Sequence, residues 1–111
     1  MTKTIIPKEI KQKINDIIGL FNKDELKNSE FQIVSELRGI FLYIDIQEAQ
    51  DSLTHLCRLK FTGDMENWEF AVYRHSRDNY DSDVCLFPGN SYLDGSIIGA
   101  IKAGMVAYQY I

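Results

Sequence analysis

Cysteine is scarce in this chain: Cys57 and Cys85 are the only two in 111 residues. Two are too few for the disulfide framework that holds small secreted domains together. Both fall on segments that read as strands, where a free thiol packs as a small hydrophobe. No apolar run approaches the roughly 20 residues needed to cross a bilayer, and Met1 to Gln12 lacks the continuous apolar stretch of a signal peptide. The expectation is a cytoplasmic protein with no membrane partner. A Gly-rich phosphate loop, a Gly-x-Ser-x-Gly elbow and a paired-carboxylate motif are also missing, so no sequence pattern points to catalysis or calls for a cofactor. Positive charge is in deficit as well. Met1 to Arg38 carries seven basic and six acidic side chains, Gly39 to Ile111 five and ten, and the net charge is −4. A net negative field repels phosphate, which disfavours nonspecific nucleic-acid binding unless basic residues cluster on one face.

What is present suits one globular domain spanning 1–111. A hydrophobic content of 45% with 25% charged residues excludes both a membrane-embedded and a disordered chain. Ile10, Ile14, Ile17, Ile18 and Phe21 share one stripe of a helix running from about Pro7 to Asn22, and Pro7 is tolerated in its first turn. The polar stretch Lys23 to Glu30 reads as a connection. Alternation from Phe31 puts Phe31, Ile33, Ser35 and Leu37 on one face of a strand, with Gln32, Val34, Glu36 and Arg38 on the wet face. Gly39 then marks either a tight turn or a bulge before the apolar run Ile40 to Ile46. Gln47 to Ser52 has no period and reads as a loop.

Thr54 to Thr62 and Trp68 to Ser76 form a hairpin around the turn Gly63-Asp64-Met65-Glu66-Asn67. With Phe61 opposite Trp68, Leu59 faces Phe70 and Cys57 faces Val72, while Lys60 meets Glu69 on the other side. Arg77 to Asp83 reads as a polar loop, Val84 to Phe87 as a short strand ended by Pro88-Gly89-Asn90, and the rest as a final helix capped by Asp94 or Ser96. That helix carries Ile97, Ile98, Ile101, Met105 and Tyr108 as its large stripe, and Ala100, Ala103, Gly104 and Ala107 as a small-residue stripe suited to close packing on a sheet. The fold class is therefore α+β: a mainly antiparallel sheet of three to five strands with an N-terminal and a C-terminal helix. Trp68, Phe70, Leu59, Phe61 and Ile101 are expected at the centre of the core.

Three constellations invite chemistry. His55, His75 and Cys57 suggest zinc, but no close Cys or His pair of the required spacing exists. Asn79, Asp81 and Asp83 imitate the start of a calcium loop, yet Val84 stands where a glycine is needed and Asn90 where a glutamate is, so a solvated acidic loop is the reading. Simple alternation puts His55 on the same side of its strand as Cys57, the geometry of a base beside a thiol nucleophile. Cys57 also completes the apolar face with Leu59 and Phe61, and the core reading of it is preferred. No metal site is expected.

The opposite hairpin face offers Arg58, Lys60 and Tyr73, with Tyr43 on the neighbouring strand. Basic side chains interleaved with aromatics are how several single-strand nucleic-acid binders stack bases. The favoured expectation is that the first helix covers this face, because its isoleucine stripe must bury itself somewhere. The functional reading is a non-enzymatic protein-interaction module with an unidentified protein partner, a homodimer being one form of it, since sheet edges readily accept a partner strand. A single-stranded nucleic-acid binder using Arg58, Lys60, Tyr73 and Tyr43 is the alternative, and a small hydrolase the third.

Arg38, Gly39 and Phe41, the run Leu56-Cys57-Arg58-Leu59, the turn Thr62-Gly63-Asp64-Met65 and the segment Trp68, Phe70, Ala71 and Tyr73 together resemble a group of small uncharacterised bacterial proteins. Phe87-Pro88-Gly89 and Asp94-Gly95-Ser96 extend the resemblance to about two-thirds of the chain. It implies no catalytic residue. A fainter similarity is to HicB-like antitoxins, through Phe87-Pro88-Gly89, Gly95-Ser96 and the stripe Ala100, Ala103, Ala107, and it implies an Ala-rich helix packed on a sheet.

Overall fold

A computed structural model describes residues 6–49, 52–74, 79–81 and 89–108. The elements follow the order α1 (Lys8–Asp24), β1 (Gln32–Arg38), β2 (Phe41–Ala49), β3 (Ser52–Lys60), β4 (Glu69–Arg74), β5 (Asn79–Asp81), a short 3-10 turn (Asn90–Tyr92) and α2 (Ile97–Ala107). The strands form one antiparallel meander in the order β1-β2-β3-β4-β5. This is the expected α+β arrangement, with a helix at each end of the chain.

Local chemistry explains the joints. Gly39 has φ 62 and, with Ile40, makes a two-residue connection in which Arg38 pairs with Phe41. It is thus a turn and not a bulge, and glycine supplies the left-handed backbone that tight hairpins need. The turn between β3 and β4 is held by Asp64, whose carboxylate accepts the Glu66 N–H at 2.9 Å, and by the Thr62 hydroxyl, which donates to the Asn67 carbonyl at 2.6 Å. The pairs Cys57–Val72, Arg58–Ala71, Leu59–Phe70 and Lys60–Glu69 reproduce the predicted hairpin register. Phe61 and Trp68 meet with ring centroids 5.0 Å apart.

Ser96 caps α2. Its hydroxyl oxygen accepts the Gly99 N–H at 3.0 Å, and it donates its own N–H and O–H to Asp94 Oδ1 at 3.0 and 2.6 Å. Those bonds hold the Asp94 carboxyl below the usual carboxylate range. Ser96→Ala removes the side-chain half of this arrangement and is expected to lower stability by about 1 kcal/mol in urea titration, with an unchanged m-value.

One face of the sheet buries Ile33, Leu42, Ile44, Ile46, Leu56, Cys57 and Leu59. Ile14, Ile18 and Phe21 of α1 and Ile97, Ile101 and Met105 of α2 join the same cluster. α1 lies against β1, α2 against β3, and the two helices touch one another. The small-residue stripe acts as expected: Gly104 brings α2 so near that an added Cβ would stand 3.3 Å from Leu56 Cβ. Trp68, Leu59, Phe61 and Ile101 are buried as predicted, while Phe70 is only partly so.

Four expectations are corrected. α1 does not cover the Arg58 and Lys60 face; both helices share the aliphatic side, because the core strands present their large branched residues there. Gln47 to Ala49 and Ser52 are strand and not loop, since Gln47 pairs with Leu53 and Ala49 with Ser52. Asn79 to Asp81 is a short strand and not a polar loop, with Tyr80 opposite Tyr73. Asn79 and Asp81 therefore sit in a ladder, where Asp81 accepts from Arg74 at 3.2 Å, rather than curling as a calcium loop. His75, Cys85, the segment 84–87 and Asp83 lie outside the described residues.

The fourth correction concerns β3. Ile44 pairs with Cys57 but Asp45 pairs with His55, so Leu56 is the extra residue of a β-bulge. Leu56 and Cys57 are both fully buried, and His55 is turned to the opposite side. The base-and-thiol arrangement inferred from simple alternation is thereby dismantled.

Candidate functional site

The face that the helices leave open is built from alternate residues of all five strands. β1 contributes Glu36 and Arg38, β2 Phe41, Tyr43 and Asp45, β3 His55, Arg58 and Lys60, β4 Tyr73 and β5 Tyr80, each placed by its register partner. The four residues singled out from sequence, Arg58, Lys60, Tyr73 and Tyr43, all fall on this one surface. Arg58 stands opposite both Tyr43 and Ala71, and Lys60 opposite both Phe41 and Glu69.

The aromatic rings form a connected group. Tyr80 meets Tyr73 edge-on at 5.1 Å and Tyr43 at 5.4 Å, and His55 lies 4.9 Å from Tyr73. Edge-on contacts align the positive rim of one ring with the negative face of the next. Guanidinium groups cap the group: Arg58 lies 4.5 Å from the Phe41 centroid and 5.4 Å from that of Tyr80, and Arg38 5.2 Å from that of Tyr43. These cation–π contacts hold long side chains in place on an otherwise solvated surface.

Beside the rings is a hollow of about 370 Å³, bordered by Arg38, Tyr43, Asp45, His55, Tyr73 and Tyr80. His55 Nδ1 stands 2.9 Å from Asp45 Oδ1, a contact that orients the imidazole. Burial, with the Asp45 charge second, pushes the Tyr80 hydroxyl's pKa well above its ordinary range, so Tyr80 stays a neutral donor at physiological pH. The Arg38 guanidinium bonds Glu36 at 2.9 Å. Three basic side chains, Arg38, Arg58 and Lys60, share the face with three acidic ones, Glu36, Asp45 and Glu69, so the face carries little net charge.

Sequence reasoning missed Tyr80, Phe41, Arg38 and the His55–Asp45 pair. Phe41 and Arg38 were within reach, since a two-residue turn at Gly39 pairs Arg38, on the wet face of the first strand, with Phe41 on the same face of the second. Tyr80 had no signal, because a three-residue polar strand shows no period. His55 was hidden by the bulge. Among the described residues no cluster of His, Cys, Asp and Glu could hold a metal ion, and no helix is long and apolar enough to cross a membrane. Comparison with family models, curated proteins and solved structures finds no match to this chain.

Proposed function

We propose that this domain is a non-enzymatic protein-interaction module of the cytoplasm that docks a partner protein on the open face of its sheet. One observation carries the reading: both helices pack on the aliphatic face, and among the described residues no helix covers the tyrosine–arginine surface, in which Tyr73 is largely buried and Tyr43, Tyr80 and Arg58 are half-buried. Tyrosine and arginine dominate the energetic centres of protein interfaces, where a rigid aromatic body and a polar tip work together. Here they sit centrally, with Glu36, Lys60 and Glu69 around them as a polar rim. A second copy of the chain meets the same requirements, and so does a different protein.

Single-stranded nucleic acid is the second reading, favoured by the convergence of Arg58, Lys60, Tyr43 and Tyr73 on one surface. Balanced charge weighs against it, because phosphate affinity scales with uncompensated basic groups. An affinity pull-down decides the matter. The expected result is one stoichiometric protein whose retention falls at least tenfold in Tyr43→Ala and in Arg58→Glu, both variants keeping the wild-type melting temperature within a few degrees. Oligonucleotide binding that weakens steeply with salt and is lost in Lys60→Glu would replace the protein reading with the nucleic-acid one.

A further inference from the structure

We propose that the free edge of β1 takes up an extended, acidic segment of a partner protein, added as a strand along Ser35 to Leu37. This surface is separate from the open face, and the inference does not depend on it.

The outward parity of β1 is fixed from both of its ends. Asn22 of α1 donates its side-chain N–H to the Ile33 carbonyl at 2.8 Å and accepts the Ile33 N–H at 2.8 Å. Ile33 therefore turns both backbone groups away from β2, and the Asn22 amide occupies them as a neighbouring strand would. At the other end, Arg38 and Phe41 close the two-residue connection and face inward. Alternation from either end directs the N–H and C=O of Ser35 and Leu37 out of the sheet. No described residue bonds them. The edge is thus blocked at Ile33, ended by the turn at Gly39, and open between, where an added strand would gain four backbone hydrogen bonds.

A second copy fits this window poorly. The two-fold pairing that satisfies Ser35 and Leu37 sets Glu36 directly opposite the second copy's Glu36, and like charges so placed repel. The helix layer above the edge indicates what fits better. Lys8, Lys11, Asn15 and Gly19 lead up to Asn22 at spacings of three, four, four and three, which puts them on the Asn22 side of α1. All four are exposed, and neither lysine has a carboxylate partner among the described residues. Gly19 leaves open space, since an added Cβ would meet nothing within 4 Å. Every second side chain of an incoming strand points toward this row, and with Lys11 and Lys8 about 16 and 21 Å along α1 from Asn22, it is the carboxylates at the Leu37 end of that strand that come nearest to the two lysines.

The test uses the full chain and two fluorescent ten-residue peptides, one alternating Glu with Val and the other Lys with Val. The acidic peptide is expected to bind at least tenfold more tightly by anisotropy and to slow hydrogen exchange at the Ser35 and Leu37 amides. Lys8→Glu with Lys11→Glu, both at exposed positions that leave the fold intact, should weaken it about tenfold. Equal binding of the two peptides, no added protection of Ser35 and Leu37 at saturating peptide, or protection of those amides by self-association without peptide would each overturn the proposal. Arg58→Glu should leave peptide binding unchanged, so failure here and failure of the open-face reading are read separately.

Discussion

Gly95→Ala is expected to lower stability by about 3 kcal/mol or more, a large share of the roughly 5–15 kcal/mol that holds a domain of this size together. Two costs combine. Gly95 has φ 89, a left-handed backbone that costs a side chain roughly 1–2 kcal/mol. In addition, a Cβ at this position would run into the Glu66 carbonyl oxygen, which belongs to the backbone of the turn between β3 and β4 and has no flexible end to give way. Relief requires the turn and the segment before α2 to part. That parting stretches the 2.8 Å bond from the Trp68 N–H to the Gly95 carbonyl, and Trp68 is only 5% exposed. Its indole Nε1 is buried without an acceptor among the described residues, so the backbone bond and the packing on Phe61 are what hold it. Trp68 is the only tryptophan, and its fluorescence reports the loss directly in urea titration. Gly63→Ala is the control: φ is 97 there too, but the space is open, and a loss nearer 1–2 kcal/mol is expected. Equal losses at both positions would show that conformation alone, and not the contact with the turn, sets the cost.

The parts of this fold that were legible in the sequence are those where two patterns agreed. Alternation in Cys57, Leu59 and Phe61 matched alternation in Trp68, Phe70 and Val72, and only one register satisfies both, so the hairpin and its pairing followed. Where one pattern stood alone, it misled. His-Leu-Cys-Arg-Leu at 55–59 reads as an unbroken strand with His55 and Cys57 together, because a bulge that sends two apolar residues inward leaves no mark on composition. The choice of covered face was likewise hidden. Arg58 and Lys60 have long aliphatic stems and Tyr73 a large ring, so a helix stripe could have packed on either side by residue type alone. The deciding quantity is the summed aliphatic area of Leu42, Ile44, Ile46, Leu56 and Leu59, which becomes visible only once β2 and β3 are in register. The candidate site was consequently half legible: its four sequence-derived members are all present, but the ring that joins them, Tyr80, comes from a strand too short to announce itself.

Cys57 should be almost inert in the native protein, reacting with a thiol reagent at neutral pH at least about a thousandfold more slowly than a free cysteine. Its residue is fully buried between Ile44 and Val72. Burial, with the Asp45 charge second, pushes its thiol far above the ordinary range, so the nucleophilic thiolate is suppressed at the same time as access. Reaction then proceeds only through opening of the core, and an opening cost of about 4 kcal/mol already accounts for a factor of roughly a thousand. A Cys85→Ser background makes the measurement specific to Cys57, and urea above the midpoint should restore the rate of a free thiol. The same shift has a thermodynamic consequence. The folded chain keeps a proton that the unfolded chain releases above about pH 8.5, so stability is fully present below that pH and declines as pH rises, with a limiting slope near 1.4 kcal/mol per pH unit for one thiol. Between pH 8.5 and 10 that slope should vanish in Cys57→Val. A native Cys57 that reacts as fast as the unfolded chain would remove it from the core, and a slope that persists in Cys57→Val would assign the pH dependence to other groups.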